Sequence, residues 1–263
     1  MVFSRVGAEW PFYSYKISTL TQTSKELDCT LRIEFLSLTS DFDGASEVGG
    51  LFLHPDLRTG GLGRLLARAR YLFIAQNRAR FGDRVIAELR GVMDADGNSP
   101  FWDALGKHFF DLPYAEAERL CGLQSRTFLA ELMPQYPIYV PMLPQAAQDC
   151  IGRIHPDGQE AFDILEREGF ETNSYIDLFD AGPTLYARTA NIRSIARSQT
   201  ASVREQAQID ARGHYLLSND ALHGFRAIVA QLDYQPDQPL SLTPALCAAL
   251  KVSDGSTVRL TAL

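Results

Sequence analysis

Residues Glu47 to Gly91 read EVGGLFLHPDLRTGGLGRLLARARYLFIAQNRARFGDRVIAELRG. Val48 to Leu53 is a short apolar run closed by His54-Pro55-Asp56, the pattern of a buried strand. Arg58-Thr59-Gly60-Gly61-Leu62-Gly63 follows, and then Leu62, Leu65, Leu66, Ala69, Leu72 and Phe73 recur at helical spacing and draw one apolar face. Gly82-Asp83 breaks the helix, and Val85 to Leu89 reads as a second buried strand. A strand, glycine loop, helix and strand in that order form an anion-binding unit. Glycines let backbone N–H groups turn toward a ligand, and the helix start adds partial positive charge. A pyrophosphate suits such a loop, yet neither a Walker A sequence nor G-x-G-x-x-G is present.

Composition bounds the rest. The chain has 263 residues, 46% of them hydrophobic, and a formal net charge of −7. The length allows one large domain or two small ones around a sizeable core. The negative balance argues against a nucleic-acid partner. No apolar run approaches the ~18 residues of a membrane span, and no signal sequence opens the chain. Cys29, Cys121, Cys150 and Cys247 are scattered without CxxC spacing, which predicts reduced thiols, a cytoplasmic setting and no metal site.

Outside the loop unit, residues 12–20 and Cys29 to Leu38 read as strands. In the second, Leu31, Ile33 and Phe35 alternate with Arg32 and Glu34, before Leu36 and Leu38 break the register. Ser99-Pro100 opens a helix with Phe101, Leu105 and Phe109 on one face and Trp102 beside them. Phe128 to Leu132 and Ile138 to Leu143 are expected strands, the second weakened by Pro141. Gly152 to Gly158 is a polar loop, followed by a helix with Ala161, Phe162 and Leu165 inward and Gly169 as its stop. Tyr175 to Phe179 is an expected strand, Asp180-Ala181-Gly182-Pro183 a turn, and about Leu185 to Arg197 an expected helix. Ser198 to Gly213 reads as a polar linker. Tyr215 to Leu232 and Val252 to Leu263 suggest a small strand-rich appendage, with a hairpin turn inside Lys251 to Leu260. The expected domains are therefore 1–198 and 199–263.

The spacing R-x-x-G-x-G, Arg58 through Gly63, resembles the coenzyme A pyrophosphate loop of the GCN5-related acyl-CoA N-acyltransferase fold. Longer strings carry a more specific resemblance. They are Ala87-Glu88-Leu89-Arg90-Gly91, Ser99-Pro100-Phe101-Trp102, Leu105 to Phe110, Phe128 to Pro134, Ile151-Gly152-Arg153-Ile154-His155-Pro156, Glu168-Gly169-Phe170 and Tyr175 to Pro183. Through them the chain resembles the arginine N-succinyltransferase family over nearly its whole length, more weakly after Ser198. The resemblance implies an α/β (α+β) fold, a mixed central sheet flanked by helices, with a small strand-rich C-terminal part. It also implies a further stretch ahead of Met1, so a sheet edge is expected to stand open there and to favour a homo-oligomer or pairing with a related subunit.

The activity so implied is transfer of a succinyl group from succinyl-CoA to the α-amine of L-arginine, or of ornithine, in arginine breakdown, with no permanently bound cofactor. An acyltransferase for another amine and a non-catalytic partner subunit are the alternative readings. The resemblance sets Leu51 against succinyl-CoA, where its N–H would polarise the thioester carbonyl; by its residues alone Leu51 is a core strand position. Arg58, Gly61 and Gly63 hold the coenzyme. His155, in the IGxxHP string, is implied as the proton donor, a task that suits imidazole near neutral pH. His54 is a weaker candidate, and His108, His214 and His223 weaker still. Glu47, Glu88, Glu131, Asp177 and Asp180 are candidate partners for a guanidinium, and Arg90 and Arg153 for carboxylates. Each is equally readable as a structural ion pair. A Cys121 or Cys150 nucleophile is not needed for direct transfer.

Overall fold

The computed structural model describes residues 1–58, 60–123, 132–172 and 174–263, the side chains of 121–123 excepted. The chain divides into two compact units. The first comprises Met1–Val2, Val48–Asp83 and Arg188–Leu263; the second comprises Phe3–Glu47 and Arg84–Ala187. No helix among the described residues is long and apolar enough to cross a membrane.

In the second unit a long antiparallel hairpin pairs β2 (Ser14–Ser24) with β3 (Cys29–Thr39), with Ile17 opposite Leu36. The hairpin alternates as expected, but the face bearing Leu36 is the one that enters the core. Tyr15 and Leu36 are fully buried, whereas Leu31 is 55% exposed. Leu36 therefore continues the strand with no break in register. Tyr15 and Leu36 meet Phe101, Trp102, Tyr114, Ile176 and Phe179. Ser99 caps α2 (Pro100–Ala104) through the Trp102 amide at 3.1 Å, and its hydroxyl donates to Phe179 O at 2.9 Å. The Trp102 ring stacks on Phe110 and Phe179, with centroids 5.5 and 5.2 Å apart. Each such buried aromatic contributes roughly 1.5–3 kcal/mol through the surface it removes from water. Trp102, not Phe109, completes the buried face, since a break at Leu105-Gly106 turns Phe109 outward.

A four-stranded sheet has the order β1 (Val2–Phe3), β4 (Ser46–Val48), β5 (Arg84–Glu88), β8 (Thr184–Arg188), and β4 runs parallel to β5 with Ser46 opposite Val85. The strand expected over Val48–Leu53 ends at Val48. Gly50 has φ +53°, and Leu51 and Phe52 are 39% and 73% exposed, so this run leaves the sheet instead of filling a core. The expected helix from Leu185 is strand β8, because buried Leu185 and Ala187 alternate with Tyr186 and Arg188. After it come a 3₁₀ turn, Thr189–Asn191, and one α-helical turn, Arg193–Ala196. Ile138–Leu143 shortens to β6 (Ile138–Tyr139), where Val140–Met142 coils around Pro141, and Tyr175–Phe179 to β7 (Tyr175–Ile176). Of the strand expected over Phe128–Leu132, residues 128–131 lie outside the described residues.

In the first unit, α1 (Leu62–Gln76) buries Ala67, Ala69, Tyr71, Leu72 and Ile74. Leu62 and Leu66, placed inward by the spacing, are 40% and 37% exposed. Phe73 meets Phe225 edge-on at 5.1 Å, and Arg68 donates to Ala262 O at 3.0 Å, which docks the helix on the C-terminal sheet. That sheet has the order β11 (Ala227–Leu232), β10 (Gly213–Asn219), β13 (Thr257–Ala262), β9 (Gln199–Glu205), β12 (Leu240–Leu242). Strand β9 occupies what reads as a polar linker, since its inward residues, Ala201 and Val203, are few and small. The turn before β13 follows a helix, Pro244–Leu250, and so is not a hairpin. The strand-rich C-terminal part itself is as expected.

Candidate functional site

The glycine loop sits in the first unit. After Gly50 the chain runs through Leu51–His54 into a 3₁₀ turn, Pro55–Leu57. Arg58 Nε donates to Leu53 O at 3.1 Å, which folds the loop back on the strand exit. Gly60 and Gly61 both take left-handed backbone, φ +66° and +78°, and Gly61 is the N-cap of α1. A side chain at either would meet open space, so the demand for glycine is conformational. No side chain caps this helix and its first turn holds no acidic residue. Its first-turn amides are thus left for an external anion. Gly63 lies inside the helix, where glycine is not required by φ; Gly60 is the second left-handed residue, and the Gly60-Gly61 doublet is the signal for it in the sequence. The Leu51 amide donates to no acceptor among the described residues.

Arg70, which helical spacing alone does not single out, lies on α1 beside this segment. Its Nη1 reaches Gly49 O and its Nε reaches Ala67 O, each at 3.4 Å. Burial pushes its pKa down from the ordinary value. The signal for it is a basic residue between Ala69 and Tyr71, both of which are buried.

His155 belongs to the second unit and is described with it. Its amide donates to Arg90 O at 2.8 Å, and Ile154 bridges Gly91. Its Nδ1 accepts from the Asp157 amide at 3.2 Å, with Asp157 Oδ2 at 3.7 Å. An amide N–H only donates, so Nδ1 carries the lone pair and the neutral ring holds its proton on Nε2. The side chain is 25% exposed. A half-open ring with a fixed tautomer can present an N–H to a developing anion or exchange a proton with it. His54, in the first unit, pairs with Asp56 at 3.4 Å in the open, and His214 meets Gln231 at 2.9 Å.

The loop carrying His155 hangs on the turn 177–183. Asp180, 6% exposed, accepts from the Gly91 and Gly182 amides at 2.8 Å each. Burial, followed by the neighbouring Asp177, pushes its pKa up to about 7. Burial also raises the Tyr114 hydroxyl, with Asp180, Glu118 and Asp177 adding to it. The structure thus brings together two carboxylates from the guanidinium candidates, Asp177 and Asp180, in the second unit. Asp177 Oδ1 accepts from the Phe179 and Asp180 amides. Glu131 lies outside the described residues, and Arg90 and Arg153 are exposed. Cys150 is buried, its thiol donates to Ala146 O, and burial pushes its pKa up, all unfavourable to a nucleophile.

Comparison with known proteins bears on the whole chain. Residues 1–194 match the family described as "Arginine N-succinyltransferase beta subunit". Residues 199–262 match a second family, described as the C-terminal domain of the arginine N-succinyltransferase beta subunit. "Arginine N-succinyltransferase subunit alpha" of Pseudomonas aeruginosa is 47% identical over 262 residues, covering 100% of this chain and 78% of that protein. "Arginine N-succinyltransferase" of Escherichia coli O139:H28 is 43% identical over 98% of this chain and 75% of its own length. Among solved structures, "The structure of arginine/ornithine succinyltransferase subunit AI from Pseudomonas aeruginosa" superposes with a TM-score of 0.86 at 43% identity, covering 99% of this chain and 76% of that one.

Proposed function

Because the chain belongs to the arginine N-succinyltransferase family, we propose that it transfers a succinyl group from succinyl-CoA to the α-amine of L-arginine, with ornithine as a second acceptor. One observation carries the reading at the level of geometry. An uncapped helix start on a Gly60-Gly61 turn stands directly after a strand whose chain leaves the sheet at Gly50. The first-turn amides at Gly63 and its neighbours take the pyrophosphate, and Arg58 holds the loop that presents them. The Leu51 N–H then faces the thioester carbonyl. The ammonium first loses a proton to solvent; the neutral amine nitrogen attacks the carbonyl carbon, the C–N bond forms and the C–S bond breaks, the nitrogen gives up a second proton and the leaving sulfur takes one up. Leu51 stabilises the oxyanion, a role in which a donor contributes about 3–4 kcal/mol. His155, with its N–H on Nε2, serves the departing thiolate.

The names of two relatives call them subunits, and we read this chain as working in an assembly, either homo-oligomeric or paired with a related subunit. The free thiols of Cys29, Cys150 and Cys247 fit a reducing, cytoplasmic setting. The deciding experiment measures thiol release with succinyl-CoA and acetyl-CoA against arginine and ornithine. Succinyl-CoA with arginine is the expected productive pair. Release that ignores the amine, or a preference for acetyl-CoA, overturns the reading.

A further inference from the structure

Among the described residues Arg70 is a cation without a counter-ion. It is half-buried on α1, and among the described residues no carboxylate pairs with it. Its two hydrogen bonds go to carbonyls, Gly49 O and Ala67 O, each at 3.4 Å. Ordinary N–H···O bonds run at roughly 2.7–3.2 Å, so both are slack. A guanidinium has five donors in a fixed plane, and two parallel ones match a carboxylate. A fork held partly out of water by slack contacts, with donors to spare, is suited to an anion that arrives from outside. A purely structural arginine at this depth would be expected to hold a carboxylate or shorter carbonyl bonds.

The position of this fork gives the anion its identity. Arg70 touches Gly49, two residues before Leu51. Two residues of extended chain span at most about 7 Å. That is the reach of a four-carbon acyl chain and the guanidinium at its end. We propose that Arg70 is the residue that selects a dicarboxylic acyl group, its guanidinium receiving the distal carboxylate of succinyl-CoA beside Gly49–Leu51. The inference rests on Leu51 as the acyl-group contact and adds the distal-carboxylate contact to it. It also explains why the glycine loop alone does not choose the donor. The pyrophosphate is common to every acyl-CoA, whereas the second carboxylate is what distinguishes succinyl from a neutral acyl group.

The test compares binding of succinyl-CoA, butyryl-CoA and free coenzyme A by calorimetry in the parent, Arg70→Met and Arg70→Lys. Butyryl-CoA has the same number of acyl carbons and lacks the charge. The parent should prefer succinyl-CoA over butyryl-CoA by about 10²-fold, the value of hydrogen bonds to a charged group. Arg70→Met should erase the preference while free coenzyme A binds as before. Arg70→Lys, which keeps the charge and loses the fork, should retain roughly tenfold. A parent without preference, a Met variant that keeps it, or a Met variant that weakens all the ligands equally overturns the assignment. Should the Met variant not fold, a Lys variant with the parental ratio does so. Failure of the parent to bind free coenzyme A would instead count against the proposed function. Preference for succinyl-CoA without turnover on arginine or ornithine would count against the acceptor alone.

Discussion

The Gly91 amide donates to Oδ2 of Asp180 at 2.8 Å, and the same carboxylate takes the Gly182 amide on Oδ1. Both glycines are set by contact: a Cβ on Gly91 would collide with Asp180 O, and one on Gly182 with Leu89 O. The knot fastens the end of β5 to the turn from which the 150–155 loop hangs through Gly152 N and Ala181 O. Asp180 sits at about 7, above its ordinary 3.8, because burial and Asp177 outweigh the two amides that favour the charge. In the window between these values the folded chain holds a proton that the unfolded chain has released. The stability from this group is therefore fully present below about 3.8 and is lost as pH rises through about 7. Asp180→Asn cannot titrate and keeps one acceptor, at a cost of about 1–3 kcal/mol for the amide left facing an NH₂. In urea unfolding, the advantage of parent over variant should shrink as pH rises from 5 to 8. An advantage independent of pH would show that Asp180 does not titrate there.

Asp41 should behave in the opposite sense. The hydroxyls of Thr39, at 2.6 Å, and Tyr175, at 2.8 Å, and the Lys16 ammonium, at 3.1 Å, converge on its carboxylate. Led by Thr39, they lower its pKa to about 2, against the ordinary 3.8. Its contribution is present above about 3.8 and disappears as pH falls through about 2. Thermal melts of the parent and Asp41→Asn should differ at pH 5 and converge near pH 2. A difference that persists at pH 2 assigns the loss to the hydrogen bonds alone.

What was legible in the sequence followed from side-chain size. The loop, α1 and β5 announce themselves through glycines and large aliphatics, and Ser99-Pro100 through the chemistry of a helix start. The misreadings fall where the inward residues are small or where backbone decides. Strand β9 buries Ala201 and Val203, and β8 buries Leu185 and Ala187, patterns too thin to separate from a linker or a helix. Val48–Leu53 looks uniformly apolar, but Gly50 turns the chain out of the sheet, a conformational event that composition does not carry. His155 entered through the resemblance; its tautomer depends on the Asp157 amide and is visible only in three dimensions. Arg70 was hidden because an arginine inside an amphipathic helix reads as solvated until its burial is known.

The glycine loop makes a position-specific prediction. Gly61 at φ +78° has room for a side chain, so a valine there fails by backbone strain. For a β-branched residue in left-handed backbone that strain is roughly 1–3 kcal/mol, enough to rebuild the turn. Gly61→Val should raise the KM for succinyl-CoA at least tenfold with the melting temperature little changed. Gly63→Ala, inside the helix, should keep the loop geometry and stability and affect the coenzyme only by direct crowding. Equal effects at the two positions, or unchanged coenzyme affinity in Gly61→Val, would remove the pyrophosphate assignment.

His155 is the most consequential residue to test. Its Nδ1 is engaged by the Asp157 amide, which directs the neutral ring's proton to Nε2. On protonation Nδ1 would lose that amide and turn to Asp157 Oδ2, at 3.7 Å, a ready partner for the charged ring. The ring can therefore accept and return a proton without moving far. Coenzyme A leaves as a fairly stable thiolate, so the imidazole assists and is not indispensable; general acid help of this kind contributes roughly 10²–10⁴-fold. His155→Gln should lower kcat by about that range, leave succinyl-CoA binding nearly unchanged, and remove one limb of the pH–rate profile. Asp157→Asn keeps the backbone amide and removes only the partner for the protonated ring. It should cost far less in kcat. A structural histidine predicts another outcome: its amide bond to Arg90 O would survive, packing would suffer, and the melting temperature would fall. If His155→Gln melts early while its folded fraction turns over at the parental rate, the residue supports the loop and the proton comes from elsewhere.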